Sequence, residues 1–292
     1  MMTPSRKNQL LIWLVEYFTV PLRLMLARRK VGSEVNRVLV LEIWGIGDVV
    51  LATGALAALR KLWPQAEIDL LAQPHAVDLV GNHPARIGVV PFEFPWTLSL
   101  HGKYRLHTWP WLKMAKLIST LRRRRYDLVL ESRGDLRNHL LMVLIGAPRS
   151  VGFSHAGGLL LSKGLPPPPR DTHRVDCWRV LCRSFGIKDN RPVPQLSVPR
   201  AERKAIADRL GLPLSGWLGI HVGAKNAAKR WPAERFSEIA YRWMVREPNA
   251  PLVVFVDPSG FGATIPLPPG AIRISGLSLR ELIAALANCK ML

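Results

Sequence analysis

An aspartate follows a Gly-x-Gly turn at Gly45-Ile46-Gly47-Asp48, directly after the apolar run "RVLVLEI" at 37 to 43. A turn from a strand into a helix lies at the carboxyl edge of a doubly wound sheet, where ligands bind, and offers free backbone N–H groups to an anion or acceptor. The aspartate itself can cap the helix, which is worth about 1 kcal/mol, and the turn judged alone favours the cap. A dinucleotide site fits poorly, because Val50 stands where the third glycine belongs and the second strand closes with "LLAQPH" instead of an acid.

Two other segments carry reactive residue types. In "HVGAKNAAKRWPAERF", His221 to Phe236, the cations Lys225, Lys229 and Arg230 and the glycine Gly223 lie between a strand end and a helix opened by Pro232. That arrangement suits a diphosphate, with a solvated basic loop as the alternative. His221 reads as part of the strand and its core. In "ESRGDLRNH", Glu131 to His139, the side chains of Arg133, Asp135 and Arg137 could meet a polar substrate. An ion-paired turn is the favoured alternative there. The cysteines Cys177, Cys182 and Cys289 have no CxxC spacing and an odd count, so neither a zinc site nor a disulfide framework is read; buried thiols in a reducing compartment are expected.

The elements that must position these residues alternate. Strands are expected at 37–43, 66–73, 126–132, 217–222 and 251–256, with helices after 48, near 110–125, from 136, at 173–185, near 201, at 232–244 and from Ser278, whose "SLRE" has capping-box spacing. Alternation of this kind argues for parallel sheets covered on both faces. Four prolines at 166–169 stiffen a loop inside the first series, and the Pro-rich stretch after 186 reads as a linker. The organisation is therefore an N-terminal segment 1–35, an N-terminal domain 36–190 and a C-terminal domain 191–292.

The chain has 292 residues, 41 Lys plus Arg and 21 Asp plus Glu, a net charge of +20. Such a balance favours anionic partners. Nucleic acid is not the expected one: the ten tryptophans lie mainly in apolar segments, and Arg122–Arg125 read as the basic end of a helix. Residues 10 to 27, "LLIWLVEYFTVPLRLMLA", are apolar but broken by Glu16, Pro21 and Arg23. They match neither a bilayer span nor a cleaved signal. Two readings stay open for them: a helix packing on its own domain, or a segment lying in an anionic headgroup layer between Arg6–Lys7 and Arg28–Lys30.

Taken together, "VLVLEIWGIGDVVLATGALAALRKLWPQAEIDLLAQP", "YDLVLESRGDLRNHLLMVLIGAPRSVGF", "HVGAKNAAKRWPAERFSEIA" and "GLSLRELIAALANC" resemble, in order and spacing, glycosyltransferase family nine, the lipopolysaccharide heptosyltransferases. The resemblance implies a GT-B fold, two Rossmann-like doubly wound domains facing across a cleft. It implies an inverting, metal-independent transfer with no cofactor, in which a nucleotide-sugar of the ADP-heptose type donates to an anionic lipopolysaccharide-type glycolipid. By position it implies Asp48 as general base, Lys229 on the donor's phosphates and Gly223 in the same donor-binding loop; the candidates read from the residues then fall as Lys225 and Arg230 on the donor side and Gly45, Gly47, Arg133 and Asp135 on the acceptor side. A cytoplasmic protein, peripheral on the inner membrane's cytoplasmic face, is the matching location. The family's donor domain continues into a strand and a D-S/T-G-x-x-H-like turn after the point where this sequence stops, so the second domain is expected to be partial. A GT-B transferase for another sugar, or a non-catalytic membrane or nucleic-acid binder on the same fold, are the alternatives.

Overall fold

The computed structural model describes residues 6–27, 34–98, 106–188, 193–223, 227–256 and 262–292. The chain divides into two compact units, Met1–Ser197 and Val198–Leu292. The division falls within the Pro-rich linker. Up to Gln195 that linker stays on the first unit, because the Gln195 N–H donates to the Thr53 hydroxyl at 2.8 Å.

The first unit runs α1 (Arg6–Leu26), β1 (Arg37–Glu42), α2 (Ile46–Leu62), β2 (Glu67–Ala72), α3 (Ala76–Val80), β3 (Gly88–Pro91), α4 (Pro95–Leu98), α5 (Trp111–Arg123), β4 (Leu128–Glu131), α6 (Leu136–Ile145), β5 (Arg149–Phe153), β6 (Lys163–Leu165) and α7 (Arg174–Arg183). Its six strands lie in the order β3-β2-β1-β4-β5-β6, every pair parallel. Val38, Leu39 and Val40 of β1 and Val129 and Leu130 of β4 are fully buried, as parallel strands covered on both faces must be. Each such side chain contributes about 1.5–3 kcal/mol of burial. The chain builds β1 to β3 outward and then returns to place β4 on the other side of β1. The carboxyl ends of β1 and β4 therefore flank the switch point, where a doubly wound sheet opens its ligand crevice.

The strands β3 and β6 are too short for period-two patterning to be seen in sequence. The arginine run at the end of α5 is tied to its neighbours: Arg122 donates to the Leu144 carbonyl at 3.2 Å and Arg124 to Asp69 at 2.5 Å. Cys177 and Cys182 are buried and Cys289 half-buried, all as thiols, and burial pushes the Cys182 thiol up to about 12 and that of Cys289 to about 11. The apolar N-terminal segment is a helix through Pro21 that packs on α6 and on the turn Gly158–Leu160. Among the described residues no helix is long and apolar enough to cross a membrane.

The second unit runs α8 (Arg200–Leu210), β7 (Trp217–His221), α9 (Ala233–Arg246), β8 (Leu252–Phe255), β9 (Ile272–Ile274), α10 (Leu279–Leu286) and β10 (Cys289–Met291). Its parallel sheet has the order β10-β7-β8-β9. Trp217, Val253 and Phe255 pack with α8 and α10 residues on one face, and Leu218, Leu252 and Val254 with Ala240 of α9 on the other. Ser278 and Glu281 form the capping box that the sequence spacing called for. The strand that the sequence reading placed beyond the point where the sequence stops is already present in part: β10 follows α10, with Cys289 opposite Trp217 of β7.

Candidate functional site

The site grows from the two strand ends at the switch point. After Glu42, residues Ile43 and Trp44 lead to Gly45, which is the N-cap of α2; no side chain caps this helix. Asp48 is thus in the first turn and not the cap, which corrects the reading that the turn alone favoured. The reason is that the helix starts two residues earlier, at Ile46, with the Val49 N–H bonded to the Gly45 carbonyl at 3.2 Å. A Cβ at Gly47 would meet nothing within 4 Å, so the turn is open on that side. Freed from capping, Asp48 faces Arg133, with Nη2 at 2.5 Å from Oδ1, and its side chain is 26% exposed.

Arg133 comes from the end of β4 and is placed by the residues around it. Glu131, fully buried, accepts from the N–H groups of Gly134 at 2.6 Å and Arg133 at 3.0 Å, from Asn138 at 3.3 Å and from His139 Nε2 at 2.9 Å. His139 Nδ1 meets the Gly157 carbonyl at 3.0 Å. With a carboxylate on one nitrogen and a carbonyl on the other, both ring nitrogens donate. Burial alone would raise Glu131 and lower His139, but their mutual hydrogen bond and charge prevail, so Glu131 is held below and His139 above its ordinary value. Gly134 has φ +68° and a Cβ there would lie 2.7 Å from the Phe153 carbonyl oxygen, so the turn that aims Arg133 requires glycine.

Sequence reasoning passed over the neighbours of Arg133. Glu42 is 1% exposed, its nearest cation being Arg133 Nε at 3.7 Å. Burial pushes its carboxyl up to about 7, with Asp48 and Glu131 adding to the rise and Arg133 and Arg174 opposing it. The Arg133 guanidinium lies over Trp44, 4.6 Å from the ring centre, and Arg137 stands 5.8 Å from the same ring. The loop with the four prolines returns to this place. A pocket of about 200 Å³ is lined by Ser132, Arg133, Phe153, His155, Pro167–Pro169, Arg170, Thr172, Arg174 and Cys177. Arg174 is fixed by the Ser132 carbonyl at 2.9 Å and hydroxyl at 2.8 Å. Glu42 Oε1, Trp44 Nε1, Arg133 Nε and Arg174 Nε are buried without hydrogen-bond partners. Four such atoms in one place are what a polar ligand site shows when the protein alone does not satisfy it.

Asp135, expected on the acceptor side, is engaged elsewhere. It caps α6 by accepting from the Arg137 N–H and holds the Arg137 side chain through Nε at 2.9 Å and Nη2 at 2.5 Å. The ion-paired turn is realised for Asp135 and Arg137, whereas Arg133 joins Asp48.

In the second unit, Gly223 lies two residues beyond β7, Lys229 ends the single turn Ala227–Lys229 with its side chain exposed, and Arg230 is half-buried. Lys225 lies outside the described residues. Pro232 is the N-cap of α9. His221, expected in the core, is instead exposed as the last residue of β7, since the strand emerges from the sheet there. Among the described residues no three His, Cys, Asp or Glu stand together as a metal-binding group.

Residues 114–256 match the sequence model of glycosyltransferase family 9 (heptosyltransferase), a span that includes the Arg133 turn and the Lys229 loop but not Asp48. The chain is 24% identical over 215 residues to lipopolysaccharide heptosyltransferase 2 of Escherichia coli, covering 70% of this chain and 59% of that protein. It is 25% identical over 224 residues to lipopolysaccharide heptosyltransferase 1 of Pseudomonas aeruginosa, covering 73% of this chain and 60% of the relative. The chain thus spans about three fifths of the length of these relatives. The crystal structure of a family 9 glycosyltransferase from Veillonella parvula matches with a TM-score of 0.73 at 19% identity, over 89% of this chain and 76% of that one. E. coli ADP-heptose lps heptosyltransferase II matches at 0.66 and 20%, over 88% and 78%. The match to the family model thus lies on residues 114–256, and the fold of the chain is that of these solved glycosyltransferase structures.

Proposed function

We propose that this protein is an inverting, metal-independent glycosyltransferase that moves heptose from ADP-heptose to an anionic lipopolysaccharide-type glycolipid at the cytoplasmic face of the inner membrane. The observation that carries the reading is Asp48 paired with Arg133 beside an arginine-lined pocket at the switch point of the first sheet. In a single displacement the acceptor oxygen attacks the anomeric carbon, the bond from that carbon to the diphosphate oxygen breaks, and the hydroxyl proton passes to Asp48. An acid group of the acceptor in the pocket has Arg133, Arg170 and Arg174 for counter-charges, and by drawing Arg133 it frees the Asp48 oxygen to take the proton. On the donor side Lys229, with Gly223, Lys225, Arg230 and the N-terminus of α9, supplies the cationic and N–H stabilisation that the departing nucleoside diphosphate needs without a metal.

Asp48→Asn tests the base. Transfer from ADP-heptose to a core-glycolipid acceptor is expected to fall by about 10²–10⁴-fold, while donor-induced thermal stabilisation persists. Near-normal transfer by this variant rules out the assignment of Asp48. Stabilisation of the wild type by a different nucleotide-sugar, and not by ADP-heptose, moves the donor identity to that sugar.

A further inference from the structure

The helix α1 is amphipathic the wrong way round for a helix that meets water. Two of its polar side chains face the protein: the Glu16 carboxylate accepts the N–H of Leu159 at 3.1 Å, and the Arg23 guanidinium donates to the carbonyl of Leu161. The opposite face is apolar. Among residues 9–27 whose burial is described, the exposed positions after Gln9 are Leu10, Trp13, Leu14, Tyr17, Phe18, Pro21, Leu24 and Met25. Their spacing of three and four residues puts them on one stripe. Phe18 is 74% and Tyr17 63% exposed, and Trp13 and Tyr17 stack with ring centres 5.6 Å apart on that open face. Leu159, held against Glu16, extends the patch at 61% exposure.

We infer that this stripe is a membrane-docking surface, laid flat in the headgroup region of an anionic lipid layer. Three observations choose the occupant. The helix is pinned to its own unit by the Glu16 and Arg23 bonds, so it presents a side rather than an end, and no described helix is long and apolar enough to span. The stripe combines Trp and Tyr with aliphatic residues, the mixture that sits where apolar and wet regions meet. The charge is complementary: Arg6 and Lys7 open the helix, Arg28, Arg29 and Lys30 follow it in sequence, and the chain carries +20. A second copy of the chain brings the same positive charge to the contact and is disfavoured, whereas anionic headgroups are attracted. This rests on the membrane location in the proposed function and assigns it a surface; docking itself requires no donor and no chemistry, so a failure of docking and a failure of the transfer reaction are read separately.

The experiment is co-sedimentation of the full chain with vesicles of phosphatidylglycerol and phosphatidylethanolamine, compared with pure phosphatidylcholine. The wild type is expected to bind the anionic vesicles and to lose binding as salt rises. The triple variant Trp13→Ser/Tyr17→Ser/Phe18→Ser is expected to bind about tenfold or more weakly, with an unchanged melting curve because the three side chains are exposed. Leu112→Ser, at an exposed position outside the stripe, is expected to bind as the wild type does. Equal binding by the triple variant, equal binding to neutral vesicles, or a wild-type dimer that the triple variant dissolves while vesicle binding is absent would each overturn the assignment.

Discussion

The strands β1 and β4 run side by side, and each ends in a glutamate sealed from solvent, yet the two acids are treated in opposite ways. Glu131 is surrounded by donors, two backbone N–H groups, Asn138 and His139, and stays ionised. Glu42, on the neighbouring strand, has an unpartnered oxygen and a cation only at 3.7 Å, and its carboxyl is pushed up to about 7. A buried acid with a full set of donors is scaffolding, because every alternative arrangement loses bonds. One that lacks donors holds its proton and leaves the shared arginine available to other anions. Arg133 stands between these regimes: its N–H is fixed by Glu131, while its guanidinium is divided between Glu42, Asp48 and the pocket.

The largest effect on this contrast is expected from His139→Ala. It removes one donor from Glu131 and the bond to the Gly157 carbonyl, leaving a buried charge under-paired at a cost of about 3–5 kcal/mol. Urea unfolding measures this. The pH dependence follows from the two directions: Glu131, held low, contributes stability above the usual glutamate range that is lost on acidification. His139, held high, contributes stability below the usual histidine value that is lost as pH rises through its own pKa. The pair's contribution is therefore greatest between those limits, and the variant flattens that maximum. A loss under about 1 kcal/mol would erase the distinction, since single hydrogen bonds contribute that much.

Glu42→Gln should act with the opposite sign. The unfolded chain releases this proton near 4.5 and the folded chain near 7, so the folded state binds the extra proton between those values and stability falls as pH rises through the window. The difference amounts to about 3 kcal/mol. The variant should match the wild type near pH 4 and exceed it by up to that amount above pH 7, read as the difference between paired unfolding curves. Equal curves at all pH values would mean that Glu42 finds partners as Glu131 does.

Much of this contrast was legible in the sequence. Alternating patterns gave the strands that carry both acids, and the GIGD and ESRGD segments were picked out as strand-to-helix turns. Glu42 was not picked out, although an acid closing a run as apolar as "RVLVL" already asks for a partner. Its pairing depends on a parallel neighbour 90 residues away in register, since Arg133 reaches β1 only when β4 is placed beside it. The same limit hid the pocket: the four prolines and Arg174 come to Arg133 by tertiary return of the chain, which no local pattern encodes. The helix start departs from the local expectation for a local reason. Asp is a common N-cap, but here Gly45 starts the helix early and leaves Asp48 its side chain.

The smallest predicted effects separate Arg133 from its near neighbour Asp135, which shares its turn but belongs to the scaffold. Asp135 is held low despite burial by its bonds to Arg137, and it caps α6. Asparagine caps as well as aspartate, and the ion pair it forfeits has a 35% exposed Arg137 partner, so Asp135→Asn should change stability by about 0.5 kcal/mol or less. Asp135→Ala also loses the cap and should cost about 1 kcal/mol. Neither should alter sugar transfer by more than about twofold, because Arg133 is aimed by Glu131 and Gly134 instead. Thermal melts and transfer rates on the two variants provide the check. A tenfold loss of transfer in Asp135→Asn with an unchanged melt would bring Asp135 into the site and move the line between scaffold and chemistry to its far side.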